Sequence, residues 1–102
     1  MTIQIEKQLG QYMVTISGRI DAQTAPDIQK KVDTLLTEDL PVITFHLGDV
    51  NYISSAGLSI FLRLAKQANM FNERVVLKGL NDMLKSLFKI SGIEHFFDFS
   101  ER

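Results

Sequence analysis

Ile3 and Ile5 alternate with Gln4 and Glu6, and beyond Gly10 the run Tyr12-Met13-Val14-Thr15-Ile16 is short, β-branched and aromatic. Both segments carry the period of two that a strand imposes, and the glycine between them predicts a hairpin. Gly18 is expected to end the second strand, and Arg19-Ile20-Asp21 to carry the chain to Thr24-Ala25-Pro26-Asp27. There Thr24 and Asp27 have the spacing of a capping box, and Pro26 suits a first helical turn. The helix that follows places Ala25, Ile28, Val32, Leu35 and Leu36 on one side and Gln29, Lys30, Lys31 and Asp33 on the other, so it packs by one face only. After Pro41, Val42 to Leu47 is apolar at nearly every position, the pattern of a strand covered on both faces and placed centrally in its sheet. Gly48-Asp49-Val50-Asn51 reads as a connection, Tyr52 to Gly57 as the entrance to a second helix, and Leu58 to Met70 as that helix. Val75 to Leu77 predicts another buried strand. Asn81 or a neighbour begins a third helix that runs through Ile90, with Gly92 placed to stop it. The aromatic tail Ile93 to Phe99 is expected to pack back on the body. The elements together predict an α/β (α+β) fold in one domain spanning residues 1–102. Its sheet is mixed, of four or five strands, with the helices stacked mainly on one face.

Composition narrows the function more than the fold. A chain of 102 residues is the size of one core, and 45% apolar against 23% charged residues is the balance of a folded domain. Eleven basic and twelve acidic residues leave a net charge of -1, with no excess of positive charge to neutralise a row of phosphates or an anionic membrane. Neither nucleic acid nor direct membrane binding is expected, and no apolar run approaches the roughly 20 residues of a membrane span. The absence of cysteine excludes disulfides, thiolate metal sites and cysteine nucleophiles. The start Met-Thr-Ile-Gln-Ile-Glu lacks the basic and then apolar order of an export signal, which predicts a cytoplasmic protein.

Catalytic chemistry is hard to place. His46 lies inside the apolar strand and His95 beside Phe96 and Phe97, each without a second ligand at helical or hairpin spacing. Asp21 with Asp27, and Glu38 with Asp39, have ordinary roles at turns, caps or in solvent. The six glycines are dispersed, and no lysine follows a glycine-rich loop. No catalytic residue, metal ligand or cofactor is therefore assigned, and the chain reads as a non-enzyme.

Tyr52-Ile53-Ser54-Ser55-Ala56-Gly57-Leu58-Ser59 is different, because two hydroxyls stand together where a strand passes straight into a helix. One of them is expected to cap the helix, which stabilises it by about 1 kcal/mol. At about 100° per residue, Ser55, Ser59, Arg63 and Lys66 share one stripe, while Leu58, Phe61, Leu62, Ala65 and Ala68 point the other way. Ile60 and Leu64 widen the apolar sector, and Met70 projects to the polar side. A helix with this fringe is either a partner surface or is covered by a neighbouring loop.

Over nearly its whole length the chain resembles the STAS-domain anti-sigma-factor antagonists. Gly18-Arg19-Ile20-Asp21 with Thr24-Ala25-Pro26 is similar to the family's Gly-x-Leu-Asp segment and first helix, and Val42 to Val50 to its buried strand. Ile53 to Leu58 resembles the Asp-Ser-Ser/Thr-Gly-Leu signature, and Lys89-Ile90-Ser91-Gly92-Ile93 the ending of the last long helix. The resemblance implies a STAS-like fold and a module that binds an anti-sigma factor, itself a GHKL-type serine kinase, and so frees a sigma factor. Phosphorylation of the signature serine ends that binding, and a PP2C-type phosphatase reverses it. By position Ser55 is the phosphorylated serine, with Ser54 a second candidate. Arg19, Asp21, Thr24, Ser54, Ser55, Gly57, Ser59, Ile60 and Arg63 are the expected partner surface, and the free chain is expected to be a monomer. Ser54 stands where the family has Asp, Ala56 where it has Ser or Thr, and His46 where it has a buried-strand aspartate. Two other readings stay open: a STAS subunit docked in a transporter or signalling assembly with Ser55 only a cap, and a small-ligand or nucleotide sensor.

Overall fold

A computed structural model of the chain describes residues 1–8, 10–35 and 42–100. Leu36, Glu38, Asp39 and Pro41, which entered the reading of the first helix and the turn after it, lie outside the described residues. The elements are β1 (Thr2–Gln8), β2 (Gln11–Ile20), α1 (Ala25–Asp33), β3 (Val42–Ile53), α2 (Ser55–Asn69), β4 (Val75–Lys78), α3 (Asp82–Ile90), a 3-10 turn (Glu94–Phe96) and β5 (Phe97–Ser100).

The five strands form one mixed sheet in the order β1-β2-β3-β4-β5. β1 and β2 are the expected antiparallel hairpin, with Ile5 opposite Val14, and β3, β4 and β5 join in parallel. β3 lies in the centre, as its continuous apolar run predicts. From β2 onward the strands advance in one direction, and crossovers of one hand then carry every connecting helix over the same face. That face is the core: Val14, Ile16, Ile43, Phe45, Leu47, Val75 and Leu77 are buried beneath Ile28 and Val32 of α1, Phe61 and Leu64 of α2, and Leu84 and Phe88 of α3. Four buried rings continue edge to face through the layers: Phe45 to Phe61 at 5.2 Å, Phe61 to Phe88 at 6.1 Å and Phe88 to Phe97 at 5.3 Å between centroids.

The structure corrects three boundaries. Gly18 does not end β2. It adopts φ +91°, and the register with β3 shifts on both sides of it, between Thr15 and Ser17 and between Gly18 and Arg19. Irregularities of this kind change the phase of the strand pattern without ending the strand. Opposite them β3 runs on through Gly48-Asp49-Val50-Asn51 to Ile53, with Leu47, Val50 and Ile53 buried at a spacing of three instead of two. That broken alternation is why the stretch resembled a loop. α2 starts at Ser55, ahead of Leu58. The tail forms a turn and a fifth strand held by Arg74, whose guanidinium donates to Asp98 at 2.8 Å and to the carbonyls of His95 at 2.8 Å and Phe97 at 3.1 Å.

α3 follows expectation: Asn81 caps it by accepting the Leu84 N–H at 2.8 Å, and Gly92 leaves it in the left-handed region. Its last carbonyls accept from the N–H groups of Gly92 and Ile93, which turns the chain toward the tail.

Candidate functional site

The junction between β3 and α2 is built from backbone first. The Ser54 N–H donates to the Ile20 carbonyl at 2.8 Å, which ties the helix entrance to the end of β2. Ser54 itself has extended backbone (φ -81°, ψ 172°), and its hydroxyl accepts the Gly57 N–H at 3.2 Å. It is the N-cap, the role that Ser54 and Ser55 both qualified for on sequence. Ser55, one residue on, is exposed, and its hydroxyl has no hydrogen-bond partner among the described residues. The adjacent hydroxyls are therefore unequal, one held in a cap and the other presented outward. The first turn of α2 contains no acidic residue, so the positive end of its dipole is uncompensated beside Ser55.

Gly57 is buried at this junction because nothing larger fits. A Cβ there would stand 2.8 Å from Cγ2 of Ile20, 3.0 Å from Cγ2 of Ile53 and 3.2 Å from the Ile20 carbonyl oxygen. Two of these neighbours are branched side chains packed in the core, and the third is backbone. Gly57→Ala is expected to destabilise the domain by about 1–3 kcal/mol, the usual cost of overpacking. Urea unfolding measures it, and an unchanged midpoint would show that α2 slides freely on the sheet.

The Arg19 to Thr24 segment lies at the same end of the sheet and is closed by its own side chains. The Asp21 carboxylate accepts the N–H of Gln23 at 3.0 Å and of Thr24 at 3.1 Å. These two backbone donors, with Arg19 adding to them, hold its pKa below the ordinary carboxylate value. The Thr24 hydroxyl accepts the Asp21 N–H at 2.8 Å and lies 3.0 Å from the Arg19 carbonyl, to which it donates. The expected capping box between Thr24 and Asp27 is absent: Thr24 has helical backbone (φ -96°, ψ -27°), which turns its hydroxyl back into this loop, away from the helix amides. Arg19 stacks over Tyr52 at 4.3 Å from the ring centroid, with its Nε 3.8 Å from the Asp21 carboxylate.

The fold thus gathers Arg19, Asp21, Thr24, Ser54, Ser55 and Gly57 at one end of β2 and β3. Ser59 and Arg63 extend from Ser55 along the exposed stripe of α2, where the Ser59 hydroxyl donates to the Ser55 carbonyl at 3.0 Å. Lys66 is exposed on the same stripe, and Met70 is 79% exposed. Ile60 is half-buried and packs against the core.

Two apolar positions depart from the wheel. Phe61, Ala65 and Ala68 are buried as expected, and Leu64 with them, but Leu58 and Leu62 are only half-buried. Together with Ser55, Ser59, Ser91 and Ile93 they line an open groove of about 230 Å³ between α2 and the end of α3. Sequence reading missed this groove because Ser91-Gly92-Ile93 stood out only as a helix stop. The available signal was the pairing of Leu58 and Leu62 with Ser55 and Ser59, each four residues apart.

His46 is half-buried among glycines, with a Cβ on Gly48 falling 3.0 Å from its Cε1, and His95 is exposed against Phe96 at 4.3 Å between centroids. Among the described residues no three His, Asp or Glu side chains come close enough to hold a metal ion, and no helix is long and apolar enough to cross a membrane.

Comparison with known proteins places this geometry in context. The family model described as the STAS domain matches residues 2–102. An anti-sigma-B factor antagonist of Listeria monocytogenes is 32% identical over 80 residues, covering 78% of this chain and 70% of the relative. Among solved structures, an anti-sigma factor antagonist from Mycobacterium paratuberculosis superposes with a TM-score of 0.79 at 23% identity, over 99% of this chain and 86% of its own. The phosphorylated form of the Bacillus cell-fate determinant SpoIIAA gives 0.78 at 16% identity, over 99% and 93%. These two likenesses concern the fold.

Proposed function

We propose that this chain, which belongs to the STAS domain family, is an anti-sigma-factor antagonist: a binding protein without catalysis of its own that sequesters an anti-sigma factor while Ser55 is unphosphorylated. The name of its Listeria relative supports the class of partner. The observation that carries the switch is the inequality of the two serines, with Ser54 engaged by the Gly57 amide and Ser55 open at the first position of α2. A kinase needs an accessible hydroxyl on a fold that tolerates the product, and Ser55 meets both conditions.

The partner surface in this reading is Arg19, Asp21, Thr24, Ser54, Ser55, Gly57, Ser59, Ile60 and Arg63. Asp21 and Thr24 act by holding the loop, Gly57 by seating the helix, and Arg19, Ser55, Ser59 and Arg63 by direct contact. Ile60 contributes its half-exposed edge. The anti-sigma factor is a GHKL-type serine kinase, a PP2C-type phosphatase removes the phosphate, and the free antagonist is a cytoplasmic monomer. Serine in place of the family's aspartate at position 54 is compatible with this scheme, since either side chain caps a helix. The exchange removes one negative charge beside the acceptor.

Phosphorylation by the purified kinase of the same source, mapped by mass spectrometry, tests the assignment. Ser54→Ala is expected to accept one phosphate as the parent does, and Ser55→Ala none. Phosphate found on Ser54 would reverse the roles of the two residues.

A further inference from the structure

We infer that Ser54 sets the charge carried by the switch: its neutral cap keeps a phosphate on Ser55 a full dianion through the mildly acidic range and steadies the domain that bears it. This rests on the reading of Ser55 as the phosphorylated serine and names the residue that tunes it.

The entrance to α2 offers unspent donors and no negative charge. The Leu58 N–H donates to the Ser54 carbonyl at 2.9 Å, and the Gly57 N–H to the Ser54 hydroxyl at 3.2 Å. The amides of Ser55 and Ala56 have no acceptor among the described residues. Free amides and the positive end of the dipole favour an anion at this place, and the doubly charged form of a phosphate over the singly charged one. The first turn brings no carboxylate to compete. Ser, Asn and Asp cap helices about equally well, but of these only Asp would add a charge. A serine cap therefore leaves the whole positive end to its neighbour.

Charged groups on the surrounding elements do not replace this effect. Arg19 and Asp21, on the loop after β2, offset each other at 3.8 Å. Arg63 stands eight residues along α2, about 12 Å away at 1.5 Å per residue and beyond the Debye length of about 8 Å at physiological salt. Asp49 lies six residues back along β3, roughly 20 Å in extended chain. From the end of α3, the side chains that share a groove with Ser55 are Ser91 and Ile93, both uncharged. The residue next in sequence thus decides the local field. A phosphate monoester gives up its second proton at about pH 6. Beside a neutral cap at a helix start that midpoint falls, and beside a carboxylate one residue away it rises. The second charge matters to the switch because a dianion is harder to desolvate than a monoanion when a partner docks.

The test places phosphoserine at position 55 during synthesis of the full chain, so that no kinase is needed, and titrates it by phosphorus NMR in the parent, Ser54→Asp and Ser54→Ala. The midpoint is expected to lie lower in the parent than in Ser54→Asp by about 0.4 pH or more. Ser54→Ala, which loses the cap hydrogen bond and adds no charge, is expected to titrate with the parent. Phosphoserine is also expected to raise the melting temperature of the parent by about 2 °C or more, and to leave that of Ser54→Asp unchanged or lower. Equal midpoints in the parent and Ser54→Asp, a Ser54→Ala protein that moves with Ser54→Asp, or no rise in melting temperature for the parent would each overturn the inference. Affinity for the purified anti-sigma factor kinase of the same source, measured by calorimetry on the same samples, separates the reading beneath it. Phosphoserine at position 55 binding within about twofold of the unmodified parent would overturn the Ser55 switch itself, even with the midpoints ordered as expected.

Discussion

Replacing Ser55 with Asp is expected to lower affinity for the anti-sigma factor kinase by about a hundredfold or more, a loss of roughly 2.8 kcal/mol, while the domain melts within a few degrees of the parent. The two halves of this expectation have different origins. Fold is preserved because the residue occupies the first position of α2, where the amide dipoles favour an anion by up to about 1 kcal/mol at an exposed site. No acidic side chain already occupies that turn, and the cap at Ser54 is made by a separate residue. Affinity is lost because a charge matched to no cation has to be desolvated when the partner docks. Phosphate, at about -1.5 to -2 charges, should act more strongly than the single charge of Asp. Ser55→Ala, which keeps the neutral surface, should bind like the parent and resist inactivation. Thermal melting alongside calorimetric titration of the two variants decides the mechanism, and an unfolded Ser55→Asp protein would show that the switch acts on the fold and not on the surface.

Phe45→Ala is the substitution expected to cost most in stability, about 3–5 kcal/mol for a fully buried ring. Phe45 is 0% exposed and lies in the strand that pairs on both sides. Its ring meets Phe61 at an interplanar angle of 86°, the first link in the series that reaches Phe97 through α2 and α3. Removing it leaves a cavity beneath α2 and deprives Phe61 of its edge-to-face partner, a contact that contributes about 0.5–1.5 kcal/mol beyond burial. Chemical denaturation measures the loss. A change under about 1 kcal/mol would mean that the neighbouring side chains collapse into the space.

The residues themselves explain which parts of this molecule were legible in the sequence. Where one period holds across an element, the pattern was sufficient: the exposed stripe of Ser55, Ser59, Arg63 and Lys66 and the central place of Val42 to Leu47 follow from spacing alone. Where the period changes inside an element, it was not. The phase slip at Gly18, and the matching one at Gly48 to Asn51, hid the far ends of β2 and β3. Those ends hold the loop and the helix entrance, so the least legible stretch of strand is the one that positions the site. The Thr24 capping box failed for a related reason. Composition licensed the motif, but the hydroxyl had a nearer use in closing the Asp21 turn. The groove was invisible because it belongs to two helices, and a helical wheel describes one at a time.

The strand order has a consequence for the birth of the chain. Each strand lies beside its predecessor in sequence, so no later segment has to be inserted between two earlier ones. A chain emerging from the ribosome can add strands to one growing margin, with β1, β2, α1 and β3 able to assemble before β4 is made. In that interval the unpaired edge of β3 is open, and α2, the helix that carries Ser55, is the next piece synthesised but can cover only the face of the strand, so the edge waits for β4. Translation speed between Ile53 and Val75 then sets how long the margin stays bare, and with it the chance of pairing with a neighbouring nascent chain.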